Sequence, residues 1–409
     1  MSQNLYKLIF VILIVAIWSE SVEVSFIAAF ITAFTAFSSK ISKAAFTFLF
    51  LLSILVLIGV VSAISLDLEP YPFIKDTIYF IRPMLIFFAA YLIVTKLKNK
   101  SDFFDIIIYT GFAFAFIHLA KIAINFGSIG PRLDRLRGVY GRSSHLELVA
   151  LYLVTCVKTI KNFKPLSKII YRIFIVILAI SFFVYFSRTM LVVYVLMVMA
   201  HYGLLKLNIK GIVALFVGAI FAGMFVFYIK DYEEPKDPGI LDTFLAKVKN
   251  SYDEAFKTKD FDVTLNDRRE LWGNWRAYEA EQVIKKIHRE KSWVLGAGFG
   301  STVDVGLEVR LDGEMIQHLP KVHNGLAYVY LKVGALGILI YLIAIFYMYY
   351  FYYKDKKGDE ASKLYNRILV SGSFYLLVTS FVVTGIFVSY DMATLLIGGT
   401  FAIKHFSEN

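Results

Sequence analysis

The sequence predicts an all-α polytopic membrane protein with about 12 transmembrane helices and one large polar loop. Two observations carry that prediction. First, 58% of its 409 residues are hydrophobic and 18% charged, against about 45–50% and about 25% in soluble domains. Second, the mean hydropathy is +0.64, and apolar runs recur along the chain with 38 Phe and 26 Tyr among them. Such a composition excludes a cytosolic enzyme, a disordered chain and a disulfide scaffold. Cys156 is the lone cysteine and lies in an apolar segment, so no intrachain disulfide forms. A net charge of +11 would suggest nucleic acid in a soluble protein. Here it speaks first of topology, and no nucleic-acid partner is expected.

A bilayer core needs roughly 20 apolar residues per helix. Apolar runs fall near 5–18, 23–37, 44–65, 76–95, 103–126, 143–160, 169–186, 189–205, 211–229, 325–352, 365–385 and 387–403. The stretch 169–206 is too long for one span at about 1.5 Å per residue. It must break, and Ser187–Arg188 is the polar place to do so. Residues 1–230 thus hold spans one to nine, 231–322 form a polar loop subdomain, and 323–409 hold spans ten to twelve. No small-residue cleavage site follows the first run, which reads as a retained span. No internal repeat of useful length is visible, which weakens a transporter built from duplicated halves.

Short loops on one side carry Lys40 and Lys43, Lys96, Lys98 and Lys100, Lys158, Lys161, Lys164 and Lys168, Lys206 and Lys210, then Lys354, Lys356, Lys357 and Lys363. By the positive-inside rule this side, with both termini, is cytoplasmic. The opposite side holds the acidic turn Glu20–Glu23, the 66–75 loop and the long stretch 231–322. Within that stretch, Glu233-Glu234-Pro235 and Lys236-Asp237-Pro238-Gly239 read as turns. Residues 267–290 read as an amphipathic helix, and Leu295–Ser301 as a glycine-rich turn.

The outer side breaks the charge pattern with arginine. Arg132, Arg135, Arg137 and Arg142 crowd the 127–142 loop, Arg82 precedes Pro83 near the outer end of span four, and Arg188 sits between spans seven and eight. An arginine at bilayer depth costs a few kcal/mol and is normally paired or lines a polar cavity. Singly, each also fits a side chain snorkelling to headgroups. Together, arginine outside against lysine inside suggests bidentate grips on a lipid-linked phosphate or diphosphate. In the loop, Arg268, Trp272, Trp275 and Arg276 share a helical face, which suits sugar and phosphate or, equally, an interfacial helix. His323 and Asn324 stand just before span ten, with Gly334 and Gly337 inside it. Small residues three apart let helices pack closely. An imidazole at a membrane mouth can take a proton from a hydroxyl, although a histidine there can also be a plain surface or capping residue.

The pattern His323-Asn324, nine residues, Gly334-x-x-Gly337 resembles the signature of the O-antigen ligase and O-antigen polymerase superfamily of bacterial glycan transferases. Ser187-Arg188-Thr189 resembles that family's Ser-Arg-Thr turn, and Arg268–Trp272 its Arg-x-x-x-aromatic helix start. Leu295-Gly296-Ala297-Gly298-Phe299-Gly300 resembles its Gly-x-Gly-Phe turn, and Arg135–Gly138 its Arg-x-x-Gly before a span. The resemblance covers roughly residues 130–345, in order. It implies a GT-C-like membrane fold in the bacterial inner membrane and an inverting, metal-independent, cofactor-free transfer at the periplasmic face. The donor would be a glycan on undecaprenyl diphosphate, and the acceptor a lipid A–core or similar hydroxyl. It implies Arg188 and Arg268 as diphosphate ligands, with Arg82, Arg135, Arg137 and Arg142 as further candidates and His323 as general base. Asn324, Trp272, Gly334 and Gly337 would support the site. Asp391 would orient His323 or an arginine, or simply cap the last helix.

Ligase and polymerase differ in acceptor. The full histidine motif and a single large outer loop favour the ligase, while ten residues between Arg289 and Gly300 match a polymerase pattern. Partners expected are the lipid-linked donor, the acceptor, membrane lipid and, for such systems, a polysaccharide chain-length regulator. A carrier of lipid-linked sugars is the rival from another class. It would bury basic residues across the midplane, whereas here they collect at one face. A structural scaffold would need no arginine at membrane depth.

Overall fold

The computed structural model describes residues 2–38, 40–64, 70–129, 144–157, 167–230, 232–233, 235, 239–251, 274–311, 314–354 and 360–407. It is mostly helical, at 78%. The helices are α1 (Gln3–Trp18), α2 (Val22–Thr35), α3 (Lys43–Ala63), α4 (Pro70–Lys96), α5 (Asp102–Ile129), α6 (His145–Tyr152, running into a π-turn Leu153–Val157), α7 (Lys168–Val184), α8 (Arg188–His201) and α9 (Ile209–Lys230). The loop adds α10 (Ile240–Lys249), α11 (Trp275–Arg289), and strands β1 (Val303–Leu311) and β2 (Glu314–Leu319). The chain closes with α12 (Gly325–Tyr349), α13 (Phe351–Lys354), α14 (Glu360–Val382) and α15 (Ala393–Ser407).

Among the described residues a helix lies in each expected apolar run, and the predicted break falls at Ser187, which sits at the N-cap position of α8. Length divides these helices. Among the described residues five are long and apolar enough to cross a membrane, namely Lys43–Ala63, Pro70–Lys96, Asp102–Asn125, Ile209–Ile229 and Gly325–Lys354. Others are shorter, such as α2 and α8 with 14 residues each. The chain is therefore a helical membrane protein with at least these candidate spans. Helix starts follow local chemistry: Ser2, Ser21, Ser42 and Ser167 each accept a hydrogen bond from the backbone N–H three residues on.

The core is a bundle in which α15 packs on α4 and α14, α14 on α8, α2 on α4, and α12 on α3 and α14. Polar groups bridge its helices, as expected where lipid offers no hydrophobic contrast. Tyr152 Oη bonds the His201 ring at 2.9 Å and Ser371 at 3.0 Å. Tyr185 donates to Glu147 at 3.0 Å. Outside this bundle α9 is largely exposed, with open space over Gly218 and Gly223.

One end of the bundle gathers lysine loops with both chain ends. Lys100 caps α4 through the carbonyls of Val94, Thr95 and Leu97 and lies over the Phe406 ring. Lys7 pairs with Asp102 at 2.6 Å, and Gln3 donates to Lys96 O at 2.8 Å. Lys206 sits over Tyr353. Lys158, Lys161, Lys164, Lys356 and Lys357 lie outside the described residues.

The loop is where the structure departs from expectation. It holds an antiparallel β1–β2 hairpin, with an irregularity between Asp304 and Val309, and not helices alone. The period-two pattern Val303, Val305, Leu307, Val309 buries one face. Tyr278 of α11 donates to Val305 O at 2.8 Å and ties helix to hairpin. The amphipathic helix expected over 267–290 is described as α11, and residues 267–273 lie outside the described residues.

Gly334 also behaves differently from a packing glycine. Its φ of 65° and ψ of −166° break α12, and the freed backbone is taken up by the turn before the hairpin. Ala335 N donates to Trp293 O at 2.8 Å, Leu336 N to Val294 O at 3.1 Å, and Ala297 N to Leu331 O at 2.8 Å. A Cβ on Gly334 would lie 2.3 Å from Val294 O, and one on Gly296 2.6 Å from the backbone of Val333 and Gly334. The two glycines mark one close crossing of backbones. A Cβ on Gly337 would meet Val333 of its own helix at 2.1 Å. The expected helix–helix seam of Gly334 and Gly337 is thus replaced by a loop docked into a broken helix.

Candidate functional site

The docked turn is locked from below by charge. Asp76 of α4 accepts from Gly300 N at 2.6 Å and from Lys332 Nζ at 2.5 Å, and Tyr328 also donates to it. Lys332 is fully buried, and its ammonium also reaches Ser301 O. Burying such a pair is costly unless further hydrogen bonds support it, and here Ser301 O takes a second ammonium hydrogen while Gly300 N and Tyr328 serve the carboxylate. The lock holds the loop, and with it His323, against the bundle end opposite the lysine loops.

His323 ends the loop and Asn324 begins α12, its Oδ1 accepting from Ala327 N at 3.0 Å as an N-cap. Glu279 of α11 meets His323 twice: the backbone N–H of His323 donates to Oε2 at 2.8 Å, and Nδ1 lies 2.9 and 3.0 Å from the two carboxylate oxygens. A carboxylate only accepts, so Nδ1 carries a proton, and in the neutral imidazole Nε2 keeps its lone pair. Glu279 is 1% exposed, whereas the His323 side chain is 56% exposed. A buried anion therefore aims an accessible imidazole.

Sequence reasoning missed Glu279 and offered Asp391 either to orient His323 or an arginine or to cap the last helix. Asp391 caps α15, accepting from Ala393 N at 2.9 Å, Thr394 N at 3.2 Å and the Thr394 hydroxyl. A signal for Glu279 existed: it shares a helical stripe with Val283 and Ile287, both fully buried, and a carboxylate on an apolar stripe needs a partner.

Beside Asn324 opens a cleft of about 190 Å³, lined by Arg188, Thr189, Val192, Ser251, Arg276, Asn324, Val378, Phe381 and Val382. Arg188 enters at the first position of α8 and donates to Ser251 at 2.8 Å. Arg276 comes from α11, one helical turn before Glu279. One wall is cationic and polar, the other is valine and phenylalanine from α8 and α14. Such a cleft suits an anion attached to an apolar chain.

Arg82 is not part of it. Its guanidinium is fully buried and donates to the carbonyls of Val388 and Ser389 and to Ser25 at 3.3 Å. It clamps the segment between α14 and α15, so the diphosphate role expected of it gives way to a structural one. Arg132, Arg135, Arg137, Arg142, Arg268 and Trp272 lie outside the described residues. Among the described residues no group of three His, Cys, Asp or Glu side chains is placed to hold a metal.

No protein-family model matches the chain, and no curated protein matches it either. Fold and site together define a helical membrane protein with a carboxylate–imidazole pair beside an arginine-lined cleft.

Proposed function

We propose that the protein is a glycan transferase of the O-antigen ligase type, moving an undecaprenyl-diphosphate-linked polysaccharide onto a lipid A–core or similar hydroxyl. The observation that supports this best is the His323–Glu279 pair next to a cleft that combines Arg188 and Arg276 with an apolar wall. In this reading the diphosphate sits on the arginines and the polyprenyl chain leaves along Val192 and Phe381. Nε2 of His323 takes the acceptor hydroxyl proton while that oxygen attacks the anomeric carbon from the face opposite the diphosphate. The anomeric C–O bond breaks with inversion, and the departing diphosphate keeps the electron pair under the two guanidinium groups. Glu279 stabilises the imidazolium that forms. The proposal includes a twelve-span GT-C-like arrangement in a bacterial inner membrane, with the lysine-rich end and both termini cytoplasmic and the loop periplasmic.

The polymerase reading uses the same chemistry on a different acceptor, and the Arg289–Gly300 spacing favours it. Surface-glycan gel profiling of a deletion strain, complemented with the wild-type or His323→Ala gene, separates the readings. Loss of all long glycan from lipid A–core, with polymer on the lipid carrier, means ligase. A single repeat unit still joined to the core means polymerase. An unchanged ladder in both strains overturns the transferase and returns the carrier of lipid-linked sugars.

A further inference from the structure

Two residues before His323, Lys321 faces another part of the molecule. Its ammonium lies 4.6 Å from the centre of the Tyr79 ring and donates to Phe387 O at 2.7 Å. Tyr71, Lys75, Tyr79 and Arg82 follow one another on α4 at spacings of four, four and three, which places them on one face. Lys75 reaches over the Tyr71 ring at 6.0 Å. Among the described residues neither Lys75 nor Lys321 has a carboxylate within ion-pair distance. Asp76, the acid that acts on Lys321, is already bonded to Lys332 at 2.5 Å. Burial first, then the charges of Arg82 and Lys75, push the Lys321 pKa down from its ordinary value to about 7. The patch therefore sets three cations, of which Arg82 and Lys75 repel Lys321, beside two tyrosine faces; Glu23 acts on Lys75 and Arg82 and Asp391 on Arg82, each without an ion-pair contact among the described residues.

Resting on the transferase reading, we propose that Lys75, Tyr79 and Lys321 form a second anion site, outside the Arg188 cleft, that takes the phosphate or carboxylate of the acceptor saccharide and brings its hydroxyl to His323. The cations hold the anion and the tyrosine rings offer flat, partly apolar faces with polar tips to the sugar. Two basic sites then flank the segment 321–324, one for the donor and one for the acceptor, with the imidazole between them. An anionic lipid headgroup has the same phosphate chemistry, so the test separates the two sources.

The purified full chain in phosphatidylcholine nanodiscs is acylated briefly with an amine-reactive ester at pH 7.5, and each lysine is read by mass spectrometry. Lys321 should label faster than ordinary lysines, which are almost wholly protonated at that pH. Glucose 6-phosphate should slow Lys321 labelling about tenfold, since an anion favours the charged form, and glucose should not. Lys75 is half-buried and makes no hydrogen bond among the described residues, so Lys75→Gln should fold and raise the protecting concentration several-fold. Absence of protection overturns the site. Protection by added phosphatidylglycerol but not by glucose 6-phosphate assigns the cations to headgroups and overturns the acceptor role. Protection lost in Arg188→Met but kept in Lys75→Gln moves the anion to the donor cleft and also overturns it. An unchanged glycan ladder after His323→Ala, with protection intact, sinks the transferase reading and the acceptor role while the anion site stands.

Discussion

Replacing Glu279 by Gln tests the carboxylate–imidazole pair with almost no change of shape. The carboxylate now accepts from two donors of one residue, the backbone N–H at 2.8 Å and Nδ1 at 2.9 Å. A carboxamide has one oxygen and one NH2, so it satisfies one donor and presents hydrogens to the other. A hydrogen bond to a charged partner contributes about 1.5–3 kcal/mol. With the His323 side chain 56% exposed, water replaces part of the loss, and about 1.5–2 kcal/mol is the appropriate range. That corresponds to a fall in turnover of roughly 10–30-fold, with the apparent affinity for the lipid-linked donor unchanged because Glu279 is outside the cleft lining. The assay is transfer in proteoliposomes from a lipid-linked donor to purified acceptor, measured for Glu279→Gln, His323→Ala and the double variant. If Glu279 acts through His323, the double variant is no slower than His323→Ala alone. Additive losses, or wild-type turnover in Glu279→Gln, would refute the orienting role.

Other expectations follow from the same structure. Gly334→Ala forces a side chain into a glycine conformation and against Val294 O, so it should cost at least about 2 kcal/mol and lower the unfolding temperature in detergent; an unchanged value would deny the docked-turn geometry. Asp76→Asn leaves Lys332 buried without its anion and should destabilise by about 3–5 kcal/mol, read as lost folded yield, with Lys332→Met in the same chain restoring part of it. Arg188→Lys keeps the charge but loses the planar fork and should raise the apparent KM for donor about tenfold, since one lost charge-assisted bond is worth about 1.5 kcal/mol. The depressed pKa of Lys321 means that, between about 7 and its ordinary value, the unfolded chain holds a proton that the folded chain does not. Its contribution to stability therefore rises with pH across that window and is lost as pH falls through about 7; Lys321→Met should flatten the dependence of unfolding temperature on pH, measured from pH 6 to 9.

Much of this protein was legible because hydrophobic burial in a bilayer writes itself into composition. The apolar runs, the break at Ser187, the lysine-rich end and the prominence of His323 all depend on residues close in sequence. The hairpin too had its signal in Val303–Val309, overlooked against a helical background. The roles of individual polar residues were harder to read. Arg82 and Arg188 look alike in sequence as arginines near the end of an apolar run, yet one is sealed against Val388 and Ser389 and the other lines a cleft.

By itself, then, the sequence determined the helical membrane class, the placement of the helices along the chain and the histidine at the end of the loop, since each rests on local hydropathy, caps and chain breaks. Only the tertiary structure decided which acid serves that histidine, why Gly334 must be glycine and which arginines remain at a cavity. Those answers depend on contacts between residues far apart in the chain, such as the 44 positions separating Glu279 from His323. Hydrogen bonds and close backbone crossings of that kind leave no periodic trace in a sequence.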